Sequence, residues 1–230
     1  MRDYLLSLIS QGEHQQQDFK YRVQDAVKLA RSVSAFANTE GGRLLIGVRD
    51  DGYLAGVRSE EEIYMMHQAA YRYCRPEASI KFDTYHVAAV PPPASGHPAG
   101  KERGLRTIVV ATVPRSDRRP VRALDEEGHR RAYIRIADQN MVASPVHLQL
   151  WRDEQSPLGA AFTYGEAEHS LMAAMQPTAD HQPRWLTLGQ IVRLAQLPRH
   201  QVVALLARFI RYGLAAWQLN GQQFVFALYQ

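Results

Sequence analysis

The sequence predicts an α/β (α+β) fold with a mixed sheet for residues 1–155, followed by a small domain of helices and a β-hairpin. Residues 24–37 carry apolar side chains at helical spacing, and a mainly apolar run at 43–48, bounded by glycines, follows as a buried strand would. Near the C-terminus, two helical patterns lie on either side of a short turn. They are followed by two predicted strands with Asn220-Gly221 between them. We therefore expect a helix-turn-strand unit and a separate helix-helix-hairpin unit.

The other elements of the first domain each have a local signal. Apolar residues at 5–9 predict a helix that ends at Gly12, and Asp51-Gly52 predicts a hairpin turn. Ser59, with Glu62 three residues later, predicts a capping box at the start of a helix that ends before Pro76. Further strands at about 79–89, 105–114 and 131–136, an exposed proline- and glycine-rich loop at 90–104 and a helix at about 145–154 complete the prediction.

The last fifty residues have the order of a winged helix-turn-helix domain. Thr187 suits the N-cap of a first helix, the second helix ends at Gly213, and Asn220-Gly221 is a strong signal for a two-stranded wing. We assign residues 1–155 to the first domain, 156–180 to a linker with one helix, and 181–230 to the winged helix-turn-helix domain.

Composition excludes several classes of protein. The chain has 230 residues and one cysteine, which rules out a disulfide framework and a cysteine-rich zinc site, so we expect no zinc. No apolar run approaches the ~20 residues of a membrane span, and the N-terminal apolar patch is too short for a secretory signal. We expect a cytoplasmic protein with no membrane partner.

The charge points to a partner that carries phosphate or carboxylate groups. The net charge is +4, and 23 of the 27 basic residues are arginine, which contacts both groups with two parallel hydrogen bonds. A GC-rich genome would also favour arginine over lysine. Distribution is more informative, because residues 181–230 contain five arginines and no acidic residue.

This basic footprint predicts nucleic-acid contact by the C-terminal domain. At the start of the second helix stand Arg199 and His200, and further along the same helix stand Arg208 and Arg211. The alternative is that the domain mediates dimerisation or another protein contact.

The glycines at 41, 42 and 47 do not predict a nucleotide site. A Walker-type phosphate loop needs G-x-x-x-x-G-K-[ST], which the sequence lacks. Dinucleotide-binding glycines lie between a strand and a following helix, whereas these follow a helix and precede a strand. The sequence therefore disfavours ATP binding.

Acidic residues cluster near the predicted helix-turn-strand unit. Glu13 and Asp18 precede the long helix, and Asp50 and Asp51 follow the first strand. If the strand end lies beside the helix start, these carboxylates converge, and such oxygen ligands suit Mg²⁺ or Mn²⁺. Acids near turns are more often solvated, and Asp51-Gly52 is also explained as turn chemistry.

Two segments carry a family resemblance. GEHQQQDFKY, at 12–21, and VSAFANTEGGRLLIGVRDDGYLAGV, at 33–57, resemble the Schlafen AlbA-type domain, whose pattern is E-x4-E-F-K, then A-F-A-N-T-x-G-G, then I-G-V-x-D and a G-x-x-x-G hairpin. AYIRIADQNMVAS, at 132–144, is similar to the last segment of that family. The resemblance implies an α/β domain that is often attached to a winged helix.

The resemblance also implies site residues. The three acids that cleave tRNA or rRNA in vertebrate Schlafen proteins correspond to Glu13, Asp18 and Asp50, which would be both catalytic and metal-binding here. Asp18 stands where the family has glutamate. Lys20 and Arg135, which lie in the matching segments, are the first candidates for phosphate contact, ahead of Arg118 and Arg119 in the segment PRSDRRPVR at 114–122. The alternative for that segment is a solvated loop, because the acids at 125–127 partly cancel its charge.

The functional hypotheses remain distinct. The first is a nucleic-acid-binding regulator that holds DNA through the winged helix, with a front domain that binds RNA or DNA. The second is a metal-dependent endoribonuclease acting on tRNA or other structured RNA. The third is an ATP-binding regulator. Because vertebrate Schlafen proteins combine two lobes, the resemblance implies a homodimer for this single-lobed chain.

Overall fold

The chain forms two compact units, Met1–Val142 and Ala143–Gln230. The computed structural model describes residues 2–88, 104–159, 164–177, 180 and 182–229. The predicted loop at 90–104 lies outside these ranges, apart from Gly104. Within them, no helix is both long enough and apolar enough to cross a membrane.

The first unit is a mixed α/β domain, as the sequence predicts. Its elements are α1 (Arg2–Ser10), β1 (Gln17–Lys20), α2 (Ala26–Asn38), β2 (Gly42–Ile46), α3 (Ser59–His67), a π-helical segment (Gln68–Tyr73), β3 (Cys74–Arg75), β4 (Lys81–Ala88), β5 (Leu105–Val113), β6 (Arg122–Leu124), β7 (Arg130–Ile136) and β8 (Gln139–Val142).

The described residues of this unit form two four-stranded sheets. The first has the strand order β1-β2-β5-β4, in which β1 and β2 are parallel and the other pairs antiparallel. The second has the order β3-β6-β7-β8 and is antiparallel throughout. The parallel pair is possible because α2 lies between β1 and β2 in the chain and provides the crossover connection.

Helix α2 is buried on more faces than an amphipathic pattern predicts. Its apolar side chains share a core with residues of β2 and β5 from the first sheet and with residues of β6 and β7 from the second. Asp25 caps its N-terminus by accepting hydrogen bonds from the amides of Val27 and Lys28. The small residues of SVSAFAN at 32–38 suit this position, because a helix in contact with both sheets has little room for long side chains.

Asn38, at the end of α2, connects the helix to the strands of the second sheet. Its side-chain amide donates to the carbonyls of Val121 and Tyr133 at 2.8 and 2.9 Å, and its side-chain oxygen accepts from the Val121 amide at 2.7 Å. Asn38 is 1% exposed. Its role is thus structural, because it satisfies buried backbone groups that would otherwise lose their hydrogen bonds with water.

The two glycines after α2 form a close-packed corner. Gly41 has a φ of 76°, and a Cβ atom on it would lie 3.0 Å from the Arg115 nitrogen and the Val113 oxygen. A Cβ on Gly42 would lie 2.2 Å from the ring of Phe36. Only glycine allows the backbone to pass this close to the helix it has just left.

The predicted capping box at Ser59 and Glu62 is wrong. The residue before α3 is Arg58, and it makes no side-chain capping hydrogen bond. Glu62 is 7% exposed and accepts a hydrogen bond from the Val23 amide at 2.8 Å. A contact between segments distant in sequence has therefore replaced the local one.

The second unit contains helices and a β-hairpin in the chain order that the sequence predicts for it. They are α4 (Pro145–Asp153), α5 (Glu166–Ala174), β9 (Leu186–Thr187), α6 (Leu188–Ala195), α7 (Arg199–Arg211), β10 (Ala215–Asn220) and β11 (Gln223–Leu228). The strands form one antiparallel sheet in the order β10-β11-β9. Thr187 caps α6 with a capping box to Gln190, which confirms the N-cap prediction.

Helix α4 belongs to this second unit, whereas the sequence placed it in a first domain ending at 155. Its His147 packs against the rings of Trp151, Trp217 and Phe224 in the core of the unit. His147 is 2% exposed, and burial lowers its pKa to about 4. The ring is therefore neutral at physiological pH.

Candidate functional site

Strand β1 brings two of the three predicted catalytic acids together. Glu13 lies just before the strand, and its Oε1 accepts a hydrogen bond from the Phe19 amide at 2.8 Å. This contact places its carboxyl group beside that of Asp18. Partial burial of that group raises the pKa of Glu13, and a hydrogen bond with Asp18 adds to the increase. Two neighbouring carboxyl groups that compete for ionisation are a common feature of functional sites.

Asp18 is the centre of a buried charge cluster. It is 5% exposed, its Oδ2 lies 2.8 Å from Lys20 Nζ, and its Oδ1 lies 3.5 Å from the Arg135 guanidinium. Asp18 and Lys20 are two residues apart on a strand, so their side chains share a face of the sheet. The contact between them can therefore be predicted from the sequence. Arg135 comes from β7 and is brought in by the tertiary fold.

Arg135 is not placed to contact phosphate, contrary to the sequence-based prediction. Its side chain is 1% exposed. The guanidinium donates to the Asn140 side chain at 3.1 Å and to the Gln17 carbonyl at 3.3 Å, and it lies 5.2 Å from the centre of the Phe36 ring. Its role in this arrangement is to join β7 and β8 to β1.

Asp50, the third predicted acid, is not among the residues that contact this cluster. It is exposed, follows β2, and lines an open cavity together with Tyr21 and Tyr53. Glu13, Asp18 and Asp50 do not form a group with ligand atoms within 4.8 Å of one another, whereas another trio of described residues does. The three-acid metal site stays a prediction.

That other trio is Asp125, Glu127 and His129, in the turn between β6 and β7. Asp125 Oδ1 accepts from the amides of Glu127 and His129 at 3.0 and 2.7 Å, and its Oδ2 lies 2.8 Å from Arg131 Nε. The alternation of these residues along DEEGH is visible in the sequence, although Asp125, Glu127 and His129 are not among the predicted metal ligands. The turn geometry explains the cluster without a metal ion.

The two loop arginines differ in their surroundings. Arg118 is exposed, as phosphate contact would require. Arg119 is half-buried, and its guanidinium donates to the Asn38 carbonyl at 3.0 Å. Arg119 thus caps the end of α2, where the carbonyl groups of the last turn need donors.

The predicted nucleic-acid residues of α7 fall into two groups. Arg199 and His200 are exposed at the first turn of the helix. Arg208 forms an ion pair with Glu168 of α5, and Arg211 donates to the Ser156 carbonyl at 2.6 Å. The last two side chains bind within their own unit, which leaves the helix start as the free basic surface of the predicted set.

A protein-family model matches most of the first unit. The family model described as Schlafen, AlbA_2 matches residues 13–144. No curated protein sequence matches the chain. Among solved structures, the chain is similar to the DIP2311 protein from Corynebacterium diphtheriae, with 16% identity and a TM-score of 0.43 over 92% of this chain and 34% of that one. The chain thus spans about a third of the length of that protein.

Proposed function

Because the chain belongs to the Schlafen AlbA_2 family, whose members are linked to nucleic-acid binding, we propose that it is a DNA-binding regulator that contacts duplex DNA through a winged helix in its second unit. One observation supports this most: Arg199 and His200 are exposed at the start of α7, in a stretch from 182 to 229 that has no acidic residue. A basic, acid-free surface attracts the phosphate backbone.

The packing of α7 supports its use as the DNA-contacting helix. Val202, Leu206 and Phe209 are buried on one side and hold the helix in the core of its unit. Arg199 and His200 precede this apolar stripe and are not needed for packing. The first turn of a recognition helix is also where helix-turn-helix proteins contact base edges.

The hairpin of β10 and β11 would be the wing. Gln218, Gln222 and Gln223 are exposed on or beside its turn, and their amides are suited to hydrogen bonds with phosphate oxygens or base edges. We expect a homodimer on a palindromic site, since the related vertebrate proteins combine two lobes.

The test is binding to duplex DNA across a salt series, measured by fluorescence anisotropy. Arg199→Ala should weaken binding and reduce the slope of log K against log salt by about 1, as expected for one lost phosphate contact. Arg152→Ala is the matched control, because Arg152 is exposed on α4 of the same unit. Binding that does not depend on salt, or equal effects of the two variants, would contradict the proposal.

A metal-dependent endoribonuclease is the second candidate, favoured by the adjacent carboxyl groups of Glu13 and Asp18. Hard oxygen donors of this kind fit Mg²⁺ or Mn²⁺. Partial burial, and then the hydrogen bond with Asp18, raise the pKa of Glu13, so its charged form is disfavoured without a cation. Such an ion would supply charge stabilisation for phosphodiester cleavage. Lys20, at 2.8 Å from Asp18, would hold the phosphate of the substrate.

This second candidate has its own test. The protein and its Asp18→Asn and Asp50→Ala variants are incubated with total tRNA and Mn²⁺, and the RNA is resolved on a gel. Cleavage that is lost in both variants, while their melting temperatures stay close to that of the unmodified protein, supports the enzyme. No cleavage by the unmodified protein removes this candidate and leaves the DNA-binding proposal intact.

A further inference from the structure

The first unit has a cavity of about 520 Å³ that the proposed DNA contact does not use. It lies between the end of β1 and the turn after β2, and six residues line it: Tyr21, Arg49, Asp50, Asp51, Tyr53 and Ala55. Its size is in the range of cavities that bind small molecules. Its combination of aromatic, cationic and acidic side chains is unusual for a plain surface depression.

The backbone around this cavity is well ordered by hydrogen bonds. The Gly47 amide donates to the Lys20 carbonyl at 2.8 Å, which joins the turn to the end of β1. The Arg49 amide donates to the Tyr53 carbonyl at 3.0 Å, and the Gly52 amide donates to the Arg49 carbonyl at 2.8 Å. The side chains that line the cavity therefore stand on a fixed frame, which reduces the entropy lost on binding.

Two tyrosines in the cavity are each covered by an arginine. Tyr21 is 49% exposed, and the Arg22 guanidinium lies 5.0 Å from the centre of its ring. The Arg49 guanidinium lies 5.7 Å from the centre of the Tyr53 ring. Both rings also line the cavity, and a nucleobase is a planar group that stacks on aromatic rings.

The two aspartates that line the cavity differ in their contacts. Asp51 is committed to the turn, because its Oδ1 accepts from the Tyr53 amide at 3.0 Å and its Oδ2 lies 3.3 Å from Arg49. The neighbouring Asp50 side chain has no hydrogen bond or ion pair with any residue that the structure describes. Its carboxylate is thus an available acceptor at the edge of an aromatic cavity.

A second cavity adjoins the first, because Ala55 lines both. It also has a volume of about 520 Å³, and its lining includes the arginines at 22, 58 and 106. Arginine donors suit phosphate oxygens. The pair of cavities places an aromatic compartment next to one that three arginines line together with Glu61 and Glu62.

We propose that the cavity at Tyr21 and Tyr53 binds an unpaired base of single-stranded nucleic acid. The base stacks on the tyrosine rings, and Asp50 accepts a hydrogen bond from its exocyclic amino group. Arg22 contacts the adjoining phosphate. A carboxylate acceptor prefers cytosine, which has an amino group at C4, to uracil, which has a carbonyl oxygen there.

The test is fluorescence anisotropy with labelled 12-nucleotide oligo(C) and oligo(U) RNA, in EDTA to exclude metal-dependent binding or cleavage. Oligo(C) should bind several-fold more tightly than oligo(U). Tyr53→Ala should weaken oligo(C) binding about tenfold, because one stacking contact is lost, whereas Tyr53→Phe should stay within about twofold. Asp50→Asn should remove the preference for oligo(C), since an amide can donate to the uracil oxygen.

Circular dichroism melting of each variant separates a binding defect from unfolding. Equal oligo(C) binding by the unmodified protein and Tyr53→Ala would overturn the proposal. CMP binding as tightly as oligo(C) would overturn the assignment to a strand and indicate a free-nucleotide site. Arg199→Ala, which tests the duplex-DNA proposal, should leave oligo(C) binding unchanged, so the two proposals can fail independently.

Discussion

The Arg135 guanidinium lies 3.5 Å from the Asp18 carboxylate, and the two side chains are 1% and 7% exposed. The pair connects β7 of the second sheet with β1 of the first. Lys20 holds the other oxygen of the same carboxylate at 2.8 Å. A buried carboxylate between two cations is stable only while its partners remain, so this cluster fixes β1 in the position where Glu13 and Asp18 meet.

Arg135→Ala should destabilise the first unit strongly. The substitution leaves the Asp18 carboxylate buried with one of its two cations gone, which costs about 3–5 kcal/mol in comparable buried pairs. The free energy of unfolding from urea denaturation is the measurement. Arg118→Ala is the control, because Arg118 is exposed and its loss should change stability by less than about 0.5 kcal/mol. Similar values for the two variants would show that the buried pair contributes little.

Glu13→Gln should stabilise the protein slightly at neutral pH. Partial burial and the Asp18 carboxyl raise the pKa of Glu13 in the folded state, so the native protein binds its proton more tightly than the unfolded chain does. Stability attributable to Glu13 is therefore greatest at low pH and falls as pH rises through the folded pKa. Glutamine, which is neutral, removes this loss and can still accept from the Phe19 amide.

The measurement for Glu13→Gln is the unfolding free energy of the variant and the unmodified protein at several pH values. The difference between them should be present at pH 7 and should disappear below pH 4.5, the ordinary pKa of glutamate. A difference that does not vary with pH would contradict a role for ionisation.

Gly42→Ala should destabilise the corner after α2. A Cβ atom at this position would lie 2.2 Å from the buried ring of Phe36, and such overpacking costs about 1–3 kcal/mol. Gly189→Ala is the matched control, because its Cβ meets open space in α6 and alanine favours a helix by up to about 1 kcal/mol. Thermal melting of both variants should therefore give shifts of opposite sign.

His147 should make the second unit sensitive to acid. Burial lowers its pKa from 6.5 to about 4, so the unfolded chain takes up a proton before the native protein does as pH falls. Its contribution to stability is complete above pH 6.5 and is lost between 6.5 and 4, by about 3 kcal/mol in total.

The variant that checks this is His147→Gln, which cannot titrate but retains a residue type suited to the capping box with Ser144. Urea denaturation at pH 7.5 and pH 4.5 should show a smaller loss of stability in the variant than in the unmodified protein. His200→Gln, at an exposed histidine, should leave the loss unchanged. A steep pH dependence that persists in His147→Gln would assign the acid sensitivity to other groups.

Much of the fold follows from local patterns in the sequence. The helix predicted at 24–37 is observed at Ala26–Asn38, and the strand predicted at 43–48 at Gly42–Ile46. The family resemblance rested on segments around these same elements, and the match over 13–144 confirms it. Helical periodicity, glycine placement and N-cap residues act within a few positions along the chain, so they can be recognised without a structure.

Contacts between segments distant in sequence determine the features that local patterns do not predict. Glu62 has the spacing of a capping residue, yet it hydrogen-bonds to Val23. Arg135 and Arg208 are of a residue type that often binds phosphate, yet they form ion pairs with Asp18 and Glu168. A charge in the sequence does not indicate whether a partner of opposite charge will be folded against it.

The sequence by itself determined the Schlafen AlbA-type domain, the order of helices and strands along the chain, and the corner at Gly41 and Gly42. Only the tertiary structure decided which charges are buried, that Glu13 and Asp18 meet, and that Tyr21, Tyr53 and Asp50 line one cavity. The physical reason is that ionisation, exposure and ion pairing depend on distances across the parallel pair β1-β2 and between the two sheets. Residues 26 positions apart in the sequence pair across β1 and β2, and Asp18 and Arg135, which are much farther apart in the sequence, meet between the two sheets.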